Sequence, residues 1–411
     1  MKIGILTWDL ALRGGTQRQI AELARQLTRD GDEVVVYAIY FDSSAYPDIL
    51  EGIPVRCFFP GKNLARGGNE TFMGIYYRSI PLLFNEWWFS GSIARWIGSG
   101  LDVLNVHDNY AFVAAAKWKR RTRKPVLWMM NDFPTVVLPA TRFHTPVLNR
   151  IYDLLNGKWL IRRMYERSLR LMDRIVVLDD RISRKYLEDQ FCIRPVTIRS
   201  GLDLFKFAYL PRMPYGGRRA LRIFSNGIML PHRRLEDIVE SVRLLTDAGI
   251  DLVWSHVGSE ELHRKYAIEV HRLVKSAGIA EHCRFLGKVS DAEMVKMYQA
   301  ADVFVFPNSP QTWGLAVFEA MACGTPVVVS RGAGASEVLT DGVNGYLVDP
   351  ASPDQMAAAI RRIAENPADW VRLSREGRRF VEENITWVQY GRKMREEMKT
   401  VCSRREMSRD R

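Results

Sequence analysis

Apolar positions change their period twice within the first forty residues. Ile3-Gly-Ile-Leu-Thr-Trp8 is a continuous apolar run of strand length, and Val34–Ile39 is another. Between them Ile20, Leu23, Ala24 and Leu27 recur at helical spacing behind Gly14-Gly15. Strand, glycine turn, helix and strand make one βαβ unit. The alternation continues with strands predicted near 102–106, 125–129 and 174–178, and helices near 110–120, 158–172 and 180–189. A Gly- and Pro-containing loop over 199–219 interrupts it, and the cycle restarts with Leu221–Ser225 as strand, 233–248 as helix and Leu252–Val257 as strand. A helix at 261–277, short strands near 284–286 and 302–306, a helix at 314–323, a strand at Pro326–Val329 and helices beyond 353 complete it. Two successive series predict an α/β protein of two doubly wound, Rossmann-like sheets facing across a cleft, with domains at 1–200 and 201–385. Ligands of such sheets bind outside the carboxyl ends of the strands.

Composition narrows the class. The 411 residues suit about two domains, and 47% hydrophobic with 26% charged residues excludes a largely disordered chain. The net charge of +12 is uneven: residues 1–195 carry +8 and residues 196–411 carry +4. A basic first half suits an anionic partner, whether phosphate, nucleic acid or membrane surface. Basic residues interleave with apolar helix positions and no nucleic-acid module is evident, so no nucleic-acid partner is expected. Cys57, Cys192, Cys283, Cys323 and Cys402 are scattered and never form C-x-x-C, which argues against a disulfide framework or a zinc site. Ile3–Leu6 is too short for a signal segment, and no stretch approaches the ~18 apolar residues of a membrane span. A cytoplasmic protein is expected.

Two stretches depart from the alternation. Residues 70–100 hold Phe72, Tyr76, Tyr77, Phe84, Trp87, Trp88, Phe89 and Trp96 with few charges. They read either as a helical hairpin packed on the first sheet or as an aromatic surface for a lipid-linked acceptor. Lys117-Trp-Lys-Arg-Arg-Thr-Arg-Lys124 has six cations in eight residues, and 158–174 is a basic amphipathic stretch. Each is either a solvated helix end or part of an anion-binding surface.

The chemistry concentrates in Ala301–Ser330. A strand ends at Pro307, a polar loop runs to Gly314, a helix begins there and stops at Gly324, and another strand follows. Unpaired N–H groups at such a helix start, with the positive dipole end behind them, make an anion site suited to a diphosphate. Glycine at 314 allows close approach of the ligand to the backbone. Glu319, about one and a half turns in, is acceptor-only when ionised and can take two hydrogen bonds from a ribose diol.

This stretch resembles the donor-site signature of the retaining glycosyltransferases of family four, which have the GT-B fold. Ala301-Asp-Val-Phe-Val-Phe-Pro307, Glu319-Ala-Met-Ala, Gly324-Thr-Pro-Val-Val and Gly342-Val-Asn-Gly-Tyr-Leu-Val-Asp-Pro350 fit it, as do Phe285-Leu-Gly-Lys-Val289, Gly201-Leu-Asp203, Gly14-Gly15-Thr-Gln-Arg18 and Val106-His107. The resemblance spans residues 1 to about 390 in order. It implies transfer of a sugar from a UDP- or GDP-sugar to a glycan, lipid-linked or other cell-envelope acceptor, with no metal cofactor. It also implies that residues 386–411 form a helix returning to the first domain. On this resemblance Glu319 holds the ribose, and Trp313, Gly314 and Leu315 offer backbone N–H groups to sugar and diphosphate. Gly258 and Val289 line the nucleotide pocket, Gly15 lies on the donor-side glycine loop, and His107 approaches the transferred sugar.

Two positions depart from the family pattern. Gln311 stands where its first glutamate is usual, keeping an acceptor for a sugar hydroxyl but no charge. In Gly227–Asp237, Ile228 stands where an arginine is usual and Arg233 where a lysine is usual. Arg233 is therefore expected to carry one positive charge to the leaving diphosphate, with Arg234, His232 or Arg199 as the second. The expected catalytic set is His107, Gln311 and Arg233. Two other classes compete: a nucleotide-sugar epimerase of similar architecture, and a non-catalytic sugar-nucleotide-binding homologue. The basic, aromatic first domain leaves room for peripheral contact with an anionic membrane.

Overall fold

The computed structural model describes residues 1–11, 14–59, 81–108, 111–131, 160–217 and 219–409. Residues 70–80 and 158–159, from the aromatic and basic stretches above, lie outside the described residues. The chain divides into two compact units. One comprises Met1–Leu178, Ser183–Ser200 and Trp387–Arg411, and the other Asp179–Ile182 and Gly201–Thr386.

The first unit contains β1 (Lys2–Leu10), β2 (Glu33–Phe41), β3 (Val55–Cys57), β4 (Val103–His107), β5 (Val126–Met130), β6 (Arg174–Val177) and β7 (Val196–Thr197). They pair in parallel in the order β3-β2-β1-β4-β5-β6-β7. Besides the single turn Pro47–Leu50, its helices among the described residues are α1 (Gly15–Arg29), α2 (Pro81–Trp96), α3 (Ala111–Thr122), α4 (Leu160–Leu169) and α5 (Lys185–Phe191), with a last one given below. The second unit contains β8 (Leu221–Asn226), β9 (Leu252–Val257), β10 (Cys283–Phe285), β11 (Val303–Phe306), β12 (Val327–Ser330) and β13 (Tyr346–Val348), in the parallel order β10-β9-β8-β11-β12-β13. Its helices are α6 (Leu235–Asp247), α7 (Arg264–Ser276), α8 (Asp291–Ala300), α9 (Leu315–Ala322), α10 (Pro353–Glu365) and α11 (Pro367–Asn384). In each sheet the strand order reverses at the first strand, between β1 and β4 and between β8 and β11. Those are the switch points where such sheets hold ligands.

Strands buried on both faces explain the continuous apolar runs: every residue of β4, β5, β11 and β12 is buried. The final helix α12 (Trp387–Arg409) packs on α1 of the first unit. A Cβ on Gly391 would lie 2.7 Å from the Gln26 Cβ, so the helices touch there backbone to side chain. Arg395 Nε donates to Asp32 at 2.6 Å, and the amino terminus reaches the same carboxylate at 2.8 Å.

The differences from the sequence reading have local causes. The expected helix 180–189 is a π-turn at Asp180–Arg184 followed by α5, because the Glu337 carboxylate accepts the Asp180 and Arg181 N–H groups at 2.9 and 2.7 Å. The expected helix 233–248 begins at Leu235, since Arg234 adopts φ 49°. β3, β7 and β13 are two or three residues long, too short to show a period. Of the basic run after Lys117, Lys119 pairs with Asp173 at 2.7 Å and Arg121 donates to the Ile97 carbonyl at 2.8 Å. Those two cations finish a helix end, as the dipole favours. No helix among the described residues is long and apolar enough to cross a membrane.

Candidate active site

In the second unit three loops meet at the carboxyl ends of β8, β9 and β10. Gly227 sits at φ 135° and donates to the Val257 carbonyl at 2.9 Å. A Cβ on Gly258 would lie 1.9 Å from the Gly227 oxygen, so only glycine lets these turns meet. Gly258 in turn donates to the Gly287 carbonyl at 2.9 Å, and Val289 follows, half-buried, before the Ser290–Glu293 capping box of α8. Gly227, Gly258 and Gly287 are thus held by one laced set of backbone bonds, with Val289 two residues beyond it.

Beside them, beyond β11, the loop to α9 is tied by its main chain. Gln311 pairs with the strand-like segment at Ala333, donating to Gly332 at 3.2 Å and accepting from Gly334 at 2.8 Å. Its amide Oε1 is buried with no hydrogen-bond partner. Gly314 has φ 103°, and a Cβ there would lie 2.8 Å from the Phe306 ring. The first bond of the helix start is Val317 N–H to the Gly314 carbonyl at 3.1 Å, and no side chain caps it. The N–H groups of Gly314, Leu315 and Ala316 precede that bond and receive no acceptor from the helix. The side chain of Trp313 does not join them: it is 2% exposed and stacks on Phe318 with ring centroids 4.7 Å apart. Any ligand contact from Trp313 is therefore restricted to its main chain.

Glu319 is half-buried on α9, and its Oε2 accepts from the Tyr298 hydroxyl at 2.7 Å. Tyr298 is wholly buried on α8 and accepts from Asn226 Nδ2 at 2.9 Å. Burial, then the Glu319 charge, push the phenol well above its ordinary range, so it stays protonated and can only serve Glu319 as donor.

Arg233 ends a single 3-10 turn, Pro231–Arg233, tied to the β11–α9 loop by Ser309 N–H to the His232 carbonyl at 2.8 Å. Its guanidinium lies over Gly227: a Cβ there would be 3.4 Å from Arg233 Cζ. The candidates for a second cation separate sharply. Arg234 donates to both oxygens of Asp237, at 2.6 and 2.8 Å, and so is committed to the first turn of α6. His232 is pushed down to about 4, by burial and then by Arg233, and is neutral at pH 7. Arg199 belongs to the other unit.

In the first unit, His107 ends β4 with no exposure. Asn105 Nδ2 donates to the Leu127 carbonyl at 3.1 Å, which leaves Asn105 Oδ1, 2.8 Å from His107 Nε2, as an acceptor. His107 Nε2 therefore carries the proton and Nδ1, buried and without a partner, is a bare acceptor. Asp108, the next residue, adopts φ 65°. Its carboxylate accepts Trp8 N–H at 2.6 Å and Ala111 N–H at 3.0 Å, and its carbonyl accepts the Trp128 indole at 2.9 Å. Gly15 opens α1, and the preceding Gly14 exchanges hydrogen bonds of 2.9 and 3.1 Å with the Tyr46 hydroxyl.

Burial pushes His107 down to about 3 from 6.5. Between those values the unfolded chain binds a proton that the folded chain refuses, so the contribution is complete above 6.5 and is lost as pH falls toward 3. From pH 7 to pH 5 this one residue should cost roughly 2 kcal/mol of stability. Urea midpoints at the two pH values check it, and His107→Leu should flatten the slope whatever it does at pH 7.

Tyr298, Asn226 and Asp108 were not singled out by the sequence. Tyr298 sits in the apolar seam of a helix and looks like core, and nothing local marks Asn226. Asp108, three residues before a helix, carried the only available signal, that of an N-terminal capping acid.

Residues 220–380, in the second unit, match the family described as "Glycosyl transferases group 1", and residues 13–206, most of them in the first, match "Glycosyltransferase Family 4". A D-inositol 3-phosphate glycosyltransferase of Geodermatophilus obscurus is 41% identical over 376 residues, covering 85% of this chain and 77% of that protein. A phosphatidyl-myo-inositol mannosyltransferase of Mycobacterium tuberculosis is 25% identical over 381 residues, covering 88% and 85%. Among solved structures, Anabaena HepE in complex with UDP and glucose superposes with a TM-score of 0.72 at 18% identity, covering 97% of this chain and 100% of that one.

Proposed function

The chain belongs to the group 1 glycosyltransferases of family 4, with the two Rossmann-like sheets of the GT-B fold, and from that premise we propose that it moves a hexosyl group from a nucleoside-diphosphate sugar to a hydroxyl of a phosphate-bearing polyol or lipid-linked glycan, with retention of configuration. The observation that carries the donor half is the uncapped start of α9, with Glu319 on the same helix. Three early N–H groups and the helix dipole suit the diphosphate, and an anionic acceptor held by Tyr298 suits the ribose diol. The activities for which the two relatives are named and the +8 charge of residues 1–195 support a phosphorylated acceptor.

In this reading the bond between the anomeric carbon and the diphosphate oxygen breaks, and its electron pair leaves with the diphosphate. Arg233 and the α9 N–H groups stabilise the developing charge, which makes a resident metal unnecessary. The acceptor oxygen bonds to the anomeric carbon on the face the diphosphate leaves, and its proton passes to a diphosphate oxygen. A trapped covalent glycosyl-enzyme would refute this front-face step. Gln311 keeps an unpartnered amide oxygen as acceptor for a hydroxyl of the transferred sugar, and His107, assigned to that sugar by the family resemblance alone, keeps a bare Nδ1 as acceptor. A neutral imidazole at pH 7 makes His107 a hydrogen-bond acceptor rather than a proton donor. The protein is expected to work in the cytoplasm, its basic first unit meeting acceptor at the inner membrane face.

A panel of UDP- and GDP-sugars, scored by thermal shift and by slow donor hydrolysis, tests the proposal. Stabilisation by one donor with release of its sugar is the expected result. Binding without any turnover, even with phosphoinositol acceptors, would point to a sugar-nucleotide-binding homologue instead. Conversion of one nucleotide sugar into another would point to an epimerase.

A further inference from the structure

A buried hydrogen-bonded chain outside the expected contacts ends on the Gly227 corner. Trp254 Nε1 lies 2.8 Å from Ser225 Oγ, Ser225 Oγ lies 2.8 Å from His256 Nδ1, and His256 Nε2 lies 3.0 Å from the Gly227 oxygen. An indole nitrogen only donates and a carbonyl only accepts. The imidazole proton is therefore on Nε2, Nδ1 is the acceptor, and the serine hydroxyl donates into it. The tautomer is fixed from both ends. All three side chains are interior, exposed 0%, 2% and 1%. Burial, with Arg233 adding to it, holds the imidazole down at about 4 against the opposing pull of its bond to Gly227, so it is neutral at pH 7.

The corner it holds is one the backbone does not favour unaided. Gly227 sits at φ 135°, its oxygen lies 1.9 Å from where a Cβ on Gly258 would stand, and the Arg233 guanidinium rests against its Cα side. Its N–H is spent on Val257. The Nε2–H of His256 is the side-chain group that grips the carbonyl end of this peptide.

We propose that His256 is a positioning residue of the donor site: by holding the Gly227 carbonyl it sets the corner on which Arg233 rests, and with it the place of that charge beside the leaving diphosphate. This rests on the glycosyltransferase reading above. A polar group that merely fills the core would affect folding alone. A positioning residue affects the diphosphate specifically, because the distal phosphate is what Arg233 meets.

The test is calorimetric titration of the full chain with UDP, UMP, GDP and GMP. Wild type should prefer the diphosphate of one base. In His256→Leu that preference should shrink roughly 10-fold, the worth of one hydrogen bond to a charged group. The loss should vanish when Arg233→Ala is already present, since neighbours acting through one contact are non-additive. His256→Gln, which returns an amide N–H near Nε2, should restore most of the preference. Equal weakening of diphosphate and monophosphate, or an undiminished loss on the Arg233→Ala background, overturns the proposal. Should His256→Leu fail to fold, His256→Phe, which keeps a planar ring but no donor to the Gly227 carbonyl, carries the test, and an unchanged diphosphate preference there overturns the proposal equally. Wild type that binds none of the four nucleotides overturns the function and this inference together; wild type that binds, with variants of unaltered preference, sinks the inference only.

Discussion

Arg233→Ala should lower kcat by ~10²–10³-fold, the loss usual when one preorganised group facing developing charge is removed. The reasoning is electrostatic. Of the cations the sequence offers around this turn, Arg234 is already neutralised by a two-point contact with Asp237 and His232 is uncharged at pH 7. Arg233, whose guanidinium rests against Gly227, is the charge assigned to the departing diphosphate, beside an α9 start whose N–H groups supply only partial charge. Because that charge is needed most when the bond breaks, the loss should appear in kcat as well as kcat/KM. Arg233→Lys keeps a point charge without the planar fork, and should fall between. Steady-state donor consumption with saturating acceptor measures all three enzymes. An Arg233→Ala variant that folds and keeps wild-type kcat would remove Arg233 from the mechanism.

How far a sequence exposes such a site depends on what the residues do with their backbones. Gly314 and Gly258 were legible because close approach and positive φ demand glycine, and a glycine at the junction of a strand and a helix is visible in one dimension. β11, β12 and the helix between them were legible because burial on both faces writes an uninterrupted apolar run. The partners of charged groups were not legible. Nothing in Arg233-Arg234 says which guanidinium turns back to Asp237; that is decided by Arg234 taking φ 49° and so becoming the cap of α6. The π-turn at Asp180–Arg184 was hidden for the same reason, since its cause, Glu337, is 157 residues away from Asp180. Trp313 misleads in the opposite direction. Its position beside the helix start suggests ligand contact, but its ring is large and apolar enough to be drawn onto Phe318, leaving only its peptide at the site.

Glu319 and Tyr298 show why a carboxylate can be both buried support and ligand. A phenol pushed far from ionisation is a donor only, and it occupies Oε2 at 2.7 Å. An ionised carboxylate has roughly four acceptor positions, of which the Tyr298 bond takes one and fixes the rotation of the group. Glu319→Ala should therefore weaken donor binding roughly 10- to 150-fold, the ~1.5–3 kcal/mol of hydrogen bonds to a charged group. Glu319→Gln should lose less, since its carbonyl still accepts one hydroxyl. Tyr298→Phe separates the two roles. It strips the half-buried Asn226 amide of its oxygen acceptor, leaving it only the weaker Met294 sulfur at 3.5 Å, which should cost up to about 1–3 kcal/mol of stability, and it frees the carboxylate to rotate while keeping its charge. Its donor affinity should thus fall less than that of Glu319→Ala, and on the Glu319→Ala background Tyr298→Phe should leave donor affinity unchanged, because the tyrosine acts on the ribose only through that carboxylate. Titration of the wild type and the four variants with the preferred nucleoside diphosphate, alongside thermal unfolding, reads both effects. Full donor affinity in a folded Glu319→Ala variant would place the ribose elsewhere.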